Sequence, residues 1–154
     1  MPLDKLDHCS IRTLKLAETK DFFEALGLRD GARPPFDFPG HWLYAGEDPV
    51  VHLVGIDPDN PDGLYDYLGK EDLEFPEGGG AVDHVAFRAS DPEALKKILG
   101  QRGIEYRERV VPDLKLFQIF AEDPNGVTVE RVRLWVKNGS PAMRMEPLLV
   151  GNDE

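Results

Sequence analysis

The sequence predicts an α+β domain in which two βαβββ modules share a cup-shaped mixed sheet. Leu6-Asp7-His8-Cys9-Ser10-Ile11 opens an apolar-alternating segment, and Val82-Asp83-His84-Val85-Ala86-Phe87 opens another of the same pattern 76 residues later. Each runs on in the order strand, helix, strands. Units of about 50 residues bury too little surface to be comfortable alone, so the two are expected to pack as one domain. The expected divisions are module one at 5–55, a connector at 56–80, module two at 81–133 and a tail at 134–154.

In module one, the strand starting at residue 6 leads to a helix over 18–26, with Phe22, Phe23 and Leu26 at helical spacing and a stop at Gly27. Strand-like runs follow at 42–45 and 50–54, with Asp48-Pro49 between them. The connector is rich in Asp, Pro and Gly, with a short helix over 64–68. In module two, Ser90 or Asp91 can cap a helix that carries Pro92 and Glu93 in its first turn, Leu95, Ile98 and Leu99 on its apolar face, and Gly103 at its end. Strands follow at 106–110, 115–120 and 127–132, separated by Pro112-Asp113 and by Asp123-Pro124-Asn125-Gly126. In the tail, 141–150 is expected to pack on the body or on a second subunit, or else to fray.

Composition narrows the functional classes. The chain has 154 residues, 41% of them hydrophobic, which supplies a core without a metal or disulfide staple. Eighteen Lys and Arg against 29 Asp and Glu leave a net charge of −11, and no basic cluster offsets it. That balance opposes nucleic-acid binding and anionic membranes. No run approaches 18 apolar residues, and 1–7 carries charge without the apolar stretch of a signal peptide, so the expected location is the cytoplasm. The lone cysteine, Cys9, supports neither an internal disulfide nor a Cys-based zinc site. Metal chemistry in this chain must therefore use histidine and carboxylates.

Three of the four histidines fall at equivalent places. His8 opens module one, His52 lies in its last strand and His84 opens module two, while Glu130 lies in the last strand of module two. His8 and His52 are 44 residues apart, His84 and Glu130 46, so each module offers two ligands and the modules could close a cup around one cation. Imidazole with a carboxylate suits Fe(II), Mn(II), Ni(II), Zn(II) or Co(II) better than Mg(II) or Ca(II). A strand histidine taken singly is as readily a surface or packed residue; the repetition is what singles out this set. His52 can also be a base beside the metal, and His41 reads as a loop residue.

Strand parity puts Ser10 and Arg12 on the face of His8, and Ala86 and Arg88 on the face of His84. Arg88, with Arg12, can bind an anionic or enediolate oxygen, or simply pair with the abundant carboxylates. Trp42, Tyr44, Phe117 and Phe120 offer an apolar substrate wall or core packing, and the Tyr106 phenol can donate a proton.

Leu6-Asp7-His8, Val82-Asp83-His84-Val85-Ala86-Phe87 and Asp123-Pro124-Asn125-Gly126-Val127-Thr128-Val129-Glu130 are similar to the recurrent motifs of the vicinal oxygen chelate superfamily. That superfamily includes glyoxalase I, extradiol ring-cleaving dioxygenases, fosfomycin-resistance thiol transferases, methylmalonyl-CoA epimerase and metal-free bleomycin-binding proteins. The resemblance spans about residues 5–133. It implies that His8, His84 and Glu130 are metal ligands, that His52 fills the remaining slot, and that the protein is a homodimeric enzyme for a small-molecule substrate. Glyoxalase-like members commonly hold Glu or Gln where His52 stands. His8, His84 and Glu130 instead resemble the triad of extradiol dioxygenases, which use Fe(II) on a catecholate. The expected function is thus a small Fe(II)-type dioxygenase acting on neighbouring oxygens. A glyoxalase-like lyase or epimerase and a non-catalytic binding protein are the alternatives; thiol transfer to a phosphonate calls for a more cationic pocket.

Overall fold

The computed structural model describes residues 3–71, 74–75, 77–114 and 116–134. The expected tail segment at 141–150 and the first residue of the 115–120 strand lie outside the described residues. Module one contains β1 (Cys9–Thr13), α1 (Leu16–Ala25), β2 (Arg29–Gly31), β3 (Gly40–Ala45) and β4 (Asp48–Gly55). A short helix, α2 (Asp62–Leu68), lies in the connector. Module two repeats the order with β5 (Val85–Arg88), α3 (Pro92–Gln101), β6 (Tyr106–Val111), β7 (Leu116–Glu122) and β8 (Thr128–Leu134).

The expected cup-shaped sheet is not what forms. The strands make two separate four-stranded mixed sheets, ordered β1-β4-β3-β2 and β5-β8-β7-β6, and neither is closed or strongly curled. Each sheet has only four strands and ends in an edge on both sides. In each sheet the first strand runs parallel to the last, which is antiparallel to its hairpin partner. The crossover that a parallel pair requires is the helix with its following strands. β2, absent from the sequence reading, is a three-residue edge strand of Arg, Asp and Gly with no apolar alternation to betray it.

Alternation decides which side of each sheet is covered. Ile11 and Thr13 of β1 and Val51 and Leu53 of β4 are buried, and Ile11, Val51 and Leu53 pack with Phe22 and Phe23 of α1. The same cluster takes in Val129 of β8 and touches Val85 and Phe87 of β5, so the two modules share a core on their helix sides. Leu99 of α3 packs with Ile119 and Ala121 of β7. Asp91 is the cap of α3, its carboxylate accepting from the Ala94 amide at 3.0 Å, with Pro92 in the first turn. Among the described residues no helix is long and apolar enough to cross a membrane.

The turn between β7 and β8 ties the modules together. Asn125 is buried; its Oδ1 accepts from the Thr13 hydroxyl at 2.6 Å, and its Nδ2 donates to the Thr19 hydroxyl at 3.0 Å and to Asp123 at 2.9 Å. Thr13 and Thr19 are both fully buried, and Lys15 reaches over to donate to the Pro124 carbonyl at 3.0 Å. Gly126 completes the turn at φ +77°, a backbone conformation that side chains with a Cβ rarely adopt. Asn125→Ala is expected to cost about 2–4 kcal/mol, because it takes the acceptor from the buried Thr13 O–H and the donor from Oδ2 of buried Asp123, although the Thr13 oxygen keeps the Lys15 amide and Asp123 Oδ1 the Asn125 and Val127 amides. Urea unfolding checks this, and a change within the usual surface range of about 0.5 kcal/mol would refute it.

Candidate functional site

The other side of each sheet carries the polar residues singled out above. His8 and His84 each stand one residue ahead of the first strand of their module. Ser10 pairs in register with His52, and His52 with Trp42, so these side chains share the face of His8. The His8 and His52 rings stack with centroids 3.7 Å apart, and His52 stacks on Trp42 at 4.0 Å and 8° between planes. His52 is thus sandwiched, with Nε2 3.0 Å from the Pro49 carbonyl. Burial and the neighbouring His8 both push its pKa below the ordinary histidine value, which keeps the ring neutral near pH 7.

In module two, Ala86 pairs with Glu130 and Glu130 with Phe120, placing these residues and His84 on one face. Nε2 of His84 lies 2.8 Å from Oε2 of Glu130, a carboxylate that is only 4% exposed. The other oxygen, Oε1, accepts from Nε2 of Gln118 at 2.7 Å. Phe120 and the His84 ring meet nearly perpendicular, with centroids 6.0 Å apart. Gln118 escaped the sequence reading. Its only signal was that it shares β-strand parity with Phe120.

The two modules share a further device. Nδ1 of His8 is 2.6 Å from Asp7, and Nδ1 of His84 is 2.7 Å from Asp83. A carboxylate on Nδ1 fixes that nitrogen as the protonated one and leaves Nε2 as the lone-pair atom, the arrangement found behind metal-bound imidazoles. The hydrogen bond from His8 also holds the Asp7 carboxyl below its usual pKa. In His84 the lone-pair nitrogen then faces an acceptor oxygen at 2.8 Å, and two acceptors sit that close only with a proton or a cation between them.

The four candidate ligands come together as two pairs. Among the described residues no group of three or more His, Cys, Asp or Glu is placed to hold a metal ion. Imidazole with a carboxylate is a donor set of the kind divalent transition metals take, but one chain places these residues as two separate pairs.

The remaining candidates divide by face. Arg12 and Arg88 lie on the faces of His8 and His84, Arg88 exposed and in register with Val132. Tyr106 pairs with Ala121, which places it on the helix side, opposite Glu130. Phe117 is also on the helix side, with Lys96 5.2 Å from its ring centre. Tyr44 shares the face of His52, and its hydroxyl donates to the Ala32 carbonyl at 2.6 Å. His41 belongs to β3, faces away from His52 and pairs with Asp30 at 3.1 Å. A mainly apolar cavity of about 450 Å³ opens between α1 and α3; Phe87, Ile119, Ala121 and Val129 line it from the sheet, Arg88 and Glu130 also border it, and His84 does not. Half-buried Cys9 faces the helices too, and burial pushes its thiol pKa up, disfavouring a thiolate ligand.

Residues 5–131 match the sequence family described as Glyoxalase/Bleomycin resistance protein/Dioxygenase superfamily. Among solved structures, the chain is similar to a glyoxalase family protein from Enterococcus faecalis, at 24% identity and TM-score 0.55, over 86% of this chain and all of that one. A glyoxylase/bleomycin resistance protein/dioxygenase domain from Frankia sp. EAN1pec aligns with TM-score 0.60 at 13% identity, over 84% of this chain and 97% of that one. Lactoylglutathione lyase from Agrobacterium tumefaciens aligns with TM-score 0.56 at 15% identity, over 86% and 95%. At these identities the likenesses speak to the fold. No curated protein matches the sequence.

Since the folded-state pKa of His52 is depressed, the unfolded chain takes up its proton first on acidification. The stability tied to neutral His52 is complete above its unfolded value of about 6.5 and is lost as pH falls from there through the folded value. His52→Phe keeps a ring in the stack and removes the titration. Urea midpoints of the metal-free chain should therefore fall more steeply below pH 6.5 in the parent than in the variant; parallel curves would contradict the assignment.

Proposed function

This chain belongs to the Glyoxalase/Bleomycin resistance protein/Dioxygenase superfamily, and on that footing we propose that it is a metal-dependent dioxygenase acting on a small substrate with neighbouring oxygens, such as a catechol. His8, His84 and Glu130 are the ligands in this reading. The observation that carries it is the 2.8 Å approach of His84 Nε2 to a buried Glu130 carboxylate, with Asp83 behind the imidazole and Gln118 behind the carboxylate. Burying a carboxylate is costly unless it is paired, and this one is held with one oxygen toward an imidazole.

Because one chain presents the ligands in two pairs, the full set forms between two copies in a homodimer. His8 and His52 of one copy then meet the His84 and Glu130 pair of the other. A closed twofold arrangement creates two such centres. Fe(II), the favoured ion, would supply positive charge to a pair of substrate oxygens and redox chemistry toward O₂; Mn(II), Ni(II), Zn(II) and Co(II) suit the same donors.

The chain's own residues then have distinct tasks. Asp7 and Asp83 hold the two imidazoles in the tautomer that presents Nε2. His52 engages the Pro49 carbonyl through Nε2 and keeps Nδ1 as a neutral acceptor for a substrate proton. Trp42 fixes the His52 ring plane and offers an aromatic wall. Arg88 supplies positive charge for a substrate oxyanion at the rim.

Anaerobic purification, metal analysis and reconstitution test the reading. Fe(II)-dependent O₂ uptake with catechol is the expected result, and oxygen-independent isomerisation supported by Ni(II) or Zn(II) would assign lyase chemistry instead. Glu130→Ala is expected to lower metal affinity by at least about tenfold, and Asp83→Ala by about 10- to 100-fold; unchanged metal content in Glu130→Ala would remove it from the ligand set. His8→Ala and Glu130→Ala chains, each inactive alone, should recover roughly a quarter of parental activity when mixed and allowed to exchange, since half the dimers then carry one intact centre. No recovery after confirmed exchange would place the whole centre within one chain.

A further inference from the structure

We propose that Arg107 and Arg109 on edge strand β6 form a recognition subsite for a carboxylate on the substrate, so that the substrate class is an acidic rather than a neutral vicinal-oxygen compound. The inference rests on the reading above and extends it to specificity. Arg107 pairs with Phe120, which pairs with Glu130; Arg109 pairs with Gln118, which pairs with Val132. Paired residues share a face, so both arginines lie on the side that carries His84, Glu130 and Arg88, two strand spacings or about 10 Å from β8.

Their contacts leave that charge available. The Arg107 guanidinium lies over the Phe120 ring at 4.5 Å, and Arg109 donates to the Gln118 amide oxygen at 3.4 Å. A phenyl face and an amide oxygen orient a guanidinium without neutralising it. The acidic residue between them, Glu108, alternates to the opposite face, where Lys96 meets it at 2.7 Å. In a chain with a net charge of −11, one strand therefore sends its two positive charges to one face and its negative charge to the other.

Both arginines are also wired to the proposed centre. Arg109 contacts Gln118, whose amide nitrogen donates to Glu130, and Arg107 lies over the Phe120 ring that packs against His84. A carboxylate bound between the two guanidinium groups would direct the rest of a small aromatic ring across the sheet face, past Gln118 toward Glu130. Planar, multidentate donors suit a carboxylate better than a single ammonium would.

NMR titration of the full chain with three probes tests the proposal: benzoate, which has the carboxylate alone; catechol, which has the neighbouring oxygens alone; and 3,4-dihydroxybenzoate, which has both. Benzoate is expected to shift the Arg107 and Arg109 side-chain signals, and 3,4-dihydroxybenzoate to bind the metal-loaded chain about tenfold or more tightly than catechol. The R107Q/R109Q double variant, altered only at exposed positions, should lose that preference and keep its catechol affinity. Benzoate binding that depends on the arginines, with no binding of catechol, would leave the subsite standing and overturn the dioxygenase reading. Equal affinities for 3,4-dihydroxybenzoate in parent and double variant, or an equal loss for both catechols, would overturn the subsite.

Discussion

The architecture depends on the hydrogen bonds made by one buried amide. Asn125 sits in the β7–β8 turn of module two and reaches the hydroxyls of Thr13 and Thr19 in module one, at the end of β1 and on α1. All three side chains are buried, so each must find its partner within the protein or bear the cost of leaving water unpaired. The apolar contacts of Phe23 with Phe87 and the cluster that includes Val129 provide the larger share of the cohesion, but they are not directional. The amide fixes which way the modules face. With the helix sides committed to a shared core, His8 and His84 lie on the opposite faces of the sheets.

That division explains why the candidate centre comes in halves. In each sheet, odd and even positions along a strand serve different ends: Ile11, Leu53, Ile119 and Val129 build the interior, while Ser10, His52, Gln118 and Glu130 form the opposite, more polar face. Each module also brings its own support. An aspartate precedes each opening histidine, a stacked Trp42 steadies His52, and Gln118 steadies Glu130. The halves are not chemically equal, because module one contributes two aromatic nitrogen donors in a stack and module two an imidazole facing a carboxylate.

Much of this was legible in the sequence. The duplication of Leu-Asp-His and Val-Asp-His located the equivalent strands, the 3.6-residue spacing of Phe22, Phe23 and Leu26 marked α1, and Asp91-Pro92 marked the start of α3. The pairing of His8 with His52 and of His84 with Glu130 follows from the strand order that the repeat implied. What was not legible depends on relations between elements. Two open sheets and a cup arise from the same local alternation, because curvature is set by how many strands join and which edges meet. Asp123-Pro124-Asn125-Gly126 reads as a turn, and it is one, but nothing local indicates that Asn125 will face two buried threonines more than 100 positions away. Tyr106 was placed by its chemistry, and a one-residue difference in parity put its side of the strand opposite Glu130.

The parallel pairing of first with last strand also sets an order of events along the chain. Cys9 meets Val51, and Val85 meets Val129, across separations of 42 and 44 positions, so neither sheet can be completed until its final strand has been made. Such long-range closure slows folding relative to hairpin formation, since the connecting loop must be ordered before its contacts form. During synthesis, the first sheet has all its strands once residue 55 is clear of the ribosome, whereas its Thr13 and Thr19 gain the Asn125 amide only some 70 residues later. The nascent first module, with α1 already on its sheet, thus spends that interval with the part of its core that meets module two uncovered, and its exposure to aggregation ends when the β7–β8 turn arrives.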